Sequence, residues 1–179
     1  DFHREMSIEV RCSRHERNQR ALDRLGEKVA DVDPDILVVV GDDQHEWFLD
    51  DIQPSFTIYC GEQVINVALD QEKMKMKSPG IAVAMSAYYP AEDHIYPVPK
   101  DLAYAIIQGA ITDEFDVAIS ATQRTGPKGP IGIGHAIGFI YRRILKDRPV
   151  PVIPILLNTY FPPNQPTPKR CYEFGRSIG

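Results

Sequence analysis

The stretch PVPVIPILLNTYFPPNQPTPKRCYEFGRSIG, residues 149–179, decides the fold. Its run Val152–Leu157 is apolar and rich in β-branched and long aliphatic side chains, the pattern of a strand buried on both faces. Asn158-Thr159-Tyr160-Phe161 follows, and then Pro162, Pro163, Pro166 and Pro168. Proline fixes φ and lacks an amide donor, so residues 158–168 form neither helix interior nor central strand but a stiff, shaped loop. Thr167 can cap, and Pro168 can occupy the first position of, a helix through Lys169, Cys171 and Phe174. Strand, rigid loop and helix together make the C-terminal edge of an α/β sheet, where ligands usually bind. A proline-rich connector without chemistry is the plain alternative.

Working outward, the second half alternates helix and buried strand. Helices are expected over Pro99–Glu114 and His135–Lys146, and strands over Val117–Ser120 and Val150–Leu157. This order implies βαβ units: a three-layer α/β domain with a largely parallel sheet and helices on both faces. In the first half, apolar residues spaced three and four apart predict a helix over Ser13–Val32. Asp33-Pro34-Asp35 ends it, and Ile36–Val40 reads as a buried strand. Ser55–Tyr59 reads as a further strand. Between Gln63 and Ala87, Val64–Leu69 and Ile81–Met85 are expected as strands, with Met74-Lys75-Met76-Lys77 as an exposed edge or hairpin. Tyr88 to Pro99 is expected as a loop carrying His94. Residues 1–179 are expected to be a single domain, incomplete at both ends.

Composition narrows the function. Hydrophobic residues make up 43% and charged residues 25%, as in ordinary globular domains. A net charge of -5 argues against a general nucleic-acid binder, and Lys73, Lys75 and Lys77 read as a solvated face. Cys12, Cys60 and Cys171 form neither a CxxC pair nor a disulfide framework, which favours a reducing, cytoplasmic setting. No apolar run is long enough to span a membrane, and the first ten residues lack the apolar core of a signal peptide.

Several motifs invite chemistry. The run Gly126-Pro127-Lys128-Gly129-Pro130-Ile131-Gly132-Ile133-Gly134 lacks the ending of a phosphate loop, and its prolines remove amides that a phosphate would need. No serine-hydrolase elbow exists, and Cys171 reads as a small packed hydrophobe. His135 starts a predicted helix beside the 121–133 loop, a position that suits a hydrogen bond to an anionic oxygen or a metal. A local capping role is the alternative. Asp42-Asp43-Gln44-His45-Glu46 stands at the end of a buried strand, where polar groups must be paired, exposed in a cleft or bound to something. A single His among carboxylates there could hold Fe(II), Mn(II) or Zn(II). His3, His15 and His94 read as surface or local structural residues.

Four blocks, GDDQHEWF, PSFTIYCGE, GIGHAIGFIYRR and PVIPILLNTYFPPNQPTPKRCYEFGRSI, together resemble the class III extradiol ring-cleavage dioxygenases of the protocatechuate 4,5-dioxygenase catalytic-subunit type. The resemblance runs from about Ala21 to Gly179 and is poor over 63–91. It implies a non-haem Fe(II) held by two His and one Glu, a catecholic substrate and O2, a separate acid/base His, and a homo- or hetero-oligomer. It places the first His ligand before Asp1, and the Glu ligand and acid/base His after Gly179. The second His ligand belongs to an Asn-Asp-His motif that an ungapped match sets on Asp43, with Gln44 and His45 next. Asp43, Gln44 and His45 are therefore the expected metal edge. His135 matches the histidine that hydrogen-bonds substrate or O2, and Asn158, Thr159 and Tyr160 are expected to form the substrate wall. A metal-free binding protein on this fold and a metal-dependent hydrolase are the rival readings.

Overall fold

The computed structural model describes residues 2–75, 77–127 and 129–179. Its elements run α1 (Phe2–Glu5), α2 (Ile8–Val32), β1 (Leu37–Asp42), β2 (Phe56–Tyr59), β3 (Gln63–Asn66), α3 (Gln71–Lys75) and α4 (Pro79–Met85). They continue with β4 (His94–Pro97), α5 (Lys100–Thr112), β5 (Ala118–Ser120), β6 (Thr125–Gly126), β7 (Gly129–Pro130) and α6 (His135–Phe139). A π-helix (Ile140–Leu145), β8 (Val152–Leu157) and α7 (Pro168–Ile178) complete the chain.

The main sheet has the order β1-β8-β2-β5. β1 runs parallel to β8 and β2 parallel to β5, while the central β8–β2 pair is antiparallel. The apolar run of the opening stretch thus lies inside the sheet. Alternation along β8 sends Val152 and Leu156 into one core, with Leu37, Val39, Ile137, Tyr141 and Leu145. Ile153 and Ile155 enter a second core with Phe56, Ile58, Ala103, Ile107 and Phe174. α2, α6 and the π-helix cover the first face, and α5 and α7 the second, which is the expected three-layer α/β arrangement. Pro154 sits in this interior strand, where a proline is uncommon. The β2 ladder ends at Ile155↔Ile58, one residue short of it, so the missing amide costs that ladder no rung.

Several elements differ from the sequence expectation. Ile81–Met85 was expected as a strand but lies within helix α4, with Pro79 in the first turn favouring a helix start. Met74 and Lys75 end helix α3 rather than forming an edge, and Lys75 pairs with Glu72 on the exposed face. Met76 and Lys128, and the side chain of Lys73, lie outside the described residues. His94 opens β4, which pairs antiparallel with β3, so the expected loop is half of a hairpin. α2 starts at Ile8, where the Ser7 hydroxyl accepts from Val10 N–H. At the other end of the chain, Thr167 does cap α7, accepting from Arg170 N–H.

The expected single helix over His135–Lys146 changes to π geometry at Ile140. The wider turn puts Tyr141, Ile144 and Leu145 all under cover. Tyr141 stacks on Tyr96 of the β3–β4 hairpin at 3.5 Å and donates to the Val150 carbonyl at 2.6 Å. Tyr96 reaches Asp147, which also pairs with Arg142. This polar cluster pins the hairpin to the helical layer.

Burial, foremost, pushes both tyrosine hydroxyls far above their ordinary value, with the Asp147 charge adding at Tyr96 and Tyr96 adding at Tyr141. The unfolded chain releases these protons near pH ~10 while the folded chain retains them. Stability should therefore hold below about pH 10 and fall as the pH rises beyond it. Urea unfolding at rising pH checks this. Tyr141→Phe should shallow the alkaline fall and cost about 1 kcal/mol at neutral pH through the lost hydrogen bond.

Candidate functional site

β1 extends two residues beyond the expected strand, through Gly41 and Asp42, because its ladder with β8 continues to Gly41↔Leu156 and Asp42↔Leu157. Asp42 is thus carried on a paired strand rather than on a loop, and Asn158 follows directly beside it. α6 crosses this edge closely. A Cβ on Gly41 would stand 2.5 Å from the Ala136 Cβ, so only glycine lets the helix start come this near.

Glu46 holds that helix start. Its Oε1 accepts from the His135 backbone N–H at 2.6 Å, and its Oε2 lies 2.9 Å from His135 Nδ1. A helix leaves its first amides without intrahelical partners, and a carboxylate there is favoured by charge as well as by hydrogen bonding. Gly134 makes room, since a Cβ there would stand 2.7 Å from Glu46 Oε2. On the opposite side of the ring, His135 Nε2 lies 3.4 Å from Asp42 Oδ1. The Thr159 hydroxyl reaches Asp42 Oδ2 at 3.4 Å. The side chains of His135, Asp42 and Glu46 are 32%, 28% and 23% exposed, half-sheltered but open to a small molecule.

An ionised carboxylate only accepts hydrogen bonds, so Glu46 requires the Nδ1 atom to carry its hydrogen. In the neutral ring, Nε2 then presents a lone pair beside the Asp42 carboxylate. In that state the two acceptors can take a donor placed between or in front of them.

The remaining sequence-derived residues take varied places. Asp43 is buried, and both its oxygens accept amides, Trp47 N–H at 2.7 Å and Phe48 N–H at 3.2 Å. Gln44 donates to Asp42 Oδ2 at 3.2 Å. His45 adopts a left-handed φ of 62° and stacks on Phe161 at 3.8 Å. Its Nε2 lies 3.3 Å from Asp50 Oδ1 without hydrogen-bond alignment. Asn158 is buried and spent on the Phe161 backbone, donating to its carbonyl and accepting its N–H, both at 2.8 Å. Tyr160 points to solvent, 65% exposed. Thr159 is thus the member of the expected wall that joins Asp42 and His135.

Tyr88 and Tyr89 also belong to this site. The segment between β3 and β4 is tied down by Asn66 to the Tyr88 carbonyl and by Asp93 to the Ala68 N–H. Tyr88 lies edge-on to His135, 6.2 Å between ring centroids, and against Tyr89 at 4.9 Å. Burial first, and then the nearby Glu46 charge, push both hydroxyls upward. The sequence marked this aromatic pair only as part of a loop.

Comparison with known proteins gives the family. Residues 12–179 match the family described as the catalytic LigB subunit of aromatic ring-opening dioxygenase. The chain belongs to this family. Among its curated relatives is a 2,3-dihydroxyphenylpropionate/2,3-dihydroxicinnamic acid 1,2-dioxygenase of Burkholderia vietnamiensis. It is 27% identical over 164 residues, which are 92% of this chain and 42% of the relative. A protein of the same description from Cupriavidus necator is 24% identical over 188 residues, 97% of this chain and 51% of that one. The chain therefore spans about half the length of the curated relatives it matches.

Enzymes of this family are generally metal-dependent, and an ion requires a set of converging donors. Among the described residues no group of three or more His, Cys, Asp or Glu side chains could hold one. Asp43 is committed to two amides, His45 to Phe161, and the two nitrogens of His135 face different carboxylates. These residues do not by themselves fit the expected Fe(II) triad. Also among the described residues, no helix is long and apolar enough to cross a membrane.

The Gly41–Ala136 approach is testable. Gly41→Ala should cost about 1–3 kcal/mol by overpacking. Adding Ala136→Gly, although a helix interior glycine alone costs about 1 kcal/mol, should make the double variant more stable than Gly41→Ala. Simple additivity in urea unfolding would count against the contact.

Proposed function

We propose that the full-length protein opens the ring of a catecholic substrate with dioxygen, by extradiol cleavage dependent on a non-haem Fe(II). Both oxygen atoms enter the product, and the carbon–carbon bond beside one hydroxyl breaks. The observation that carries this reading is the approach of His135 Nε2 to Asp42 Oδ1, 3.4 Å apart at the end of a parallel strand pair in a chain of this family. A diol hydroxyl is the donor such a pair can take.

In this reading an iron ion would supply activation of O2 and of the diol. The chain's own residues do the rest. His135 accepts the hydrogen bond of a substrate hydroxyl at Nε2 and orients the ring. Asp42 accepts from the second hydroxyl of the diol at the strand end, and the Thr159 hydroxyl donates to Asp42. Tyr88 and Tyr89 give the aromatic ring a flat, half-buried neighbour and limit water at the site. Asp43, Gln44 and His45 serve the loop and its neighbours, so this reading does not assign the iron donors to them. A cytoplasmic setting and an oligomeric assembly accompany this reading.

The substrates for which the relatives are named suggest the probes. The full-length protein, reconstituted anaerobically with Fe(II), is to be assayed for O2 uptake and ring-fission absorbance with catechol, protocatechuate and 2,3-dihydroxyphenylpropionate. Uptake of one O2 per diol is the expected result. His135→Ala should lower kcat about 100-fold or more, the scale of losing one well-placed hydrogen-bonding group. Iron-loaded protein that binds a diol but takes up no O2 would replace this reading with that of a binding protein on the same fold. The commitment of Asp43 to backbone amides is the observation that favours this alternative.

A further inference from the structure

Glu46 does more than close a helix end. One oxygen is fixed on the His135 backbone N–H at 2.6 Å and the other on Nδ1 of the same residue at 2.9 Å. The backbone contact leaves the carboxylate little freedom to turn. The second oxygen is therefore presented to the ring at a set place, and the ring can meet it only with a hydrogen on Nδ1.

We propose that Glu46 is a positioning residue that sets the tautomer of His135, so that Nε2 faces Asp42 as a lone-pair acceptor for the substrate hydroxyl. The proposal deepens, and in its catalytic part rests on, the dioxygenase reading. In a metal-dependent site, too, the partner that fixes one ring nitrogen decides what the other can do.

The decisive variant is Glu46→Gln, which keeps shape and size. The backbone N–H of His135 can only donate, so the amide oxygen must take the place of Oε1. The amide NH2 then faces Nδ1 and donates to it. Nδ1 becomes the acceptor, and the ring hydrogen moves to Nε2, where it points at Asp42 Oδ1. The acceptor meant for the substrate is then closed off from within. An isosteric change of one atom should thus invert the tautomer without loosening the fold.

Nitrogen-15 NMR of the full-length protein labelled in histidine reads this directly. His135 is assigned by its loss in His135→Gln, in spectra recorded with the ring neutral. The wild type should carry its hydrogen on Nδ1 and Glu46→Gln on Nε2. Asp42→Asn, with Glu46 intact, should keep the wild-type tautomer. With an active diol, Glu46→Gln should lower kcat about 10–100-fold, the scale of losing a supporting partner, with KM changed less than kcat. An unchanged tautomer in Glu46→Gln overturns the proposal, as does inversion in Asp42→Asn, which would make Asp42 the controlling carboxylate. Wild-type kcat in Glu46→Gln overturns its catalytic part. If the tautomer inverts as stated but the iron-loaded wild type cleaves none of the three diols, the positioning role stands and the dioxygenase reading falls.

Discussion

One carboxylate ties the site together. Glu46 sits in the loop after β1, and its two oxygens are taken up by the first residue of α6, which lies 89 positions later. The amide it receives would otherwise be an orphan at a helix start, and the ring it receives would otherwise be free to turn. A charged, two-point grip is worth more than a neutral one because it is short, directional and partly sheltered. It needs a helix start close to the loop, and two glycines supply that closeness, Gly41 beneath α6 and Gly134 beside the carboxylate.

The sheet supplies the other coordinates of the site. β8 separates two cores and pairs with β1 in parallel, so Asp42 and Asn158 emerge side by side from one edge. Asn158 turns its side chain back on the Phe161 backbone and shapes the loop that presents Thr159 to Asp42. Phe161 then packs on His45, and Ser55 is held by Asn164 further along the same loop. The proline-rich stretch is a scaffold: it braces the loop that follows β1 and contributes one hydroxyl to the polar cluster.

Much of this was legible in the sequence. Unbroken apolar runs located β8 and β1, apolar residues at helical spacing located α2 and α5, and the Thr167-Pro168 start located α7; β1 proved to be an edge strand with Val38 and Val40 exposed rather than buried on both faces. The polar run after β1 and the histidine at a helix start marked the site, because polar groups at the end of a buried strand need partners. Other features were not legible. Ile81–Met85 is short and apolar, a pattern shared by strands and helices, and Pro79 outweighed its β-branched residues. The π-helix over Ile140–Leu145 depends on Tyr141 meeting Tyr96, a contact between distant segments. Glu46 read as one carboxylate among several, since nothing local says that its partner is His135. Asp43 and Asn158 carry side chains suited to ligands, yet both are spent on nearby amides and carbonyls, a use that only the folded turn reveals.

A crystal structure of the full-length protein would test the central claim most directly, through the two oxygens of Glu46. The account predicts one oxygen on the His135 backbone nitrogen and the other on Nδ1, each within about 3.2 Å, with Nε2 turned toward Asp42. A Glu46 side chain turned away from α6, with His135 held by other groups, would contradict it.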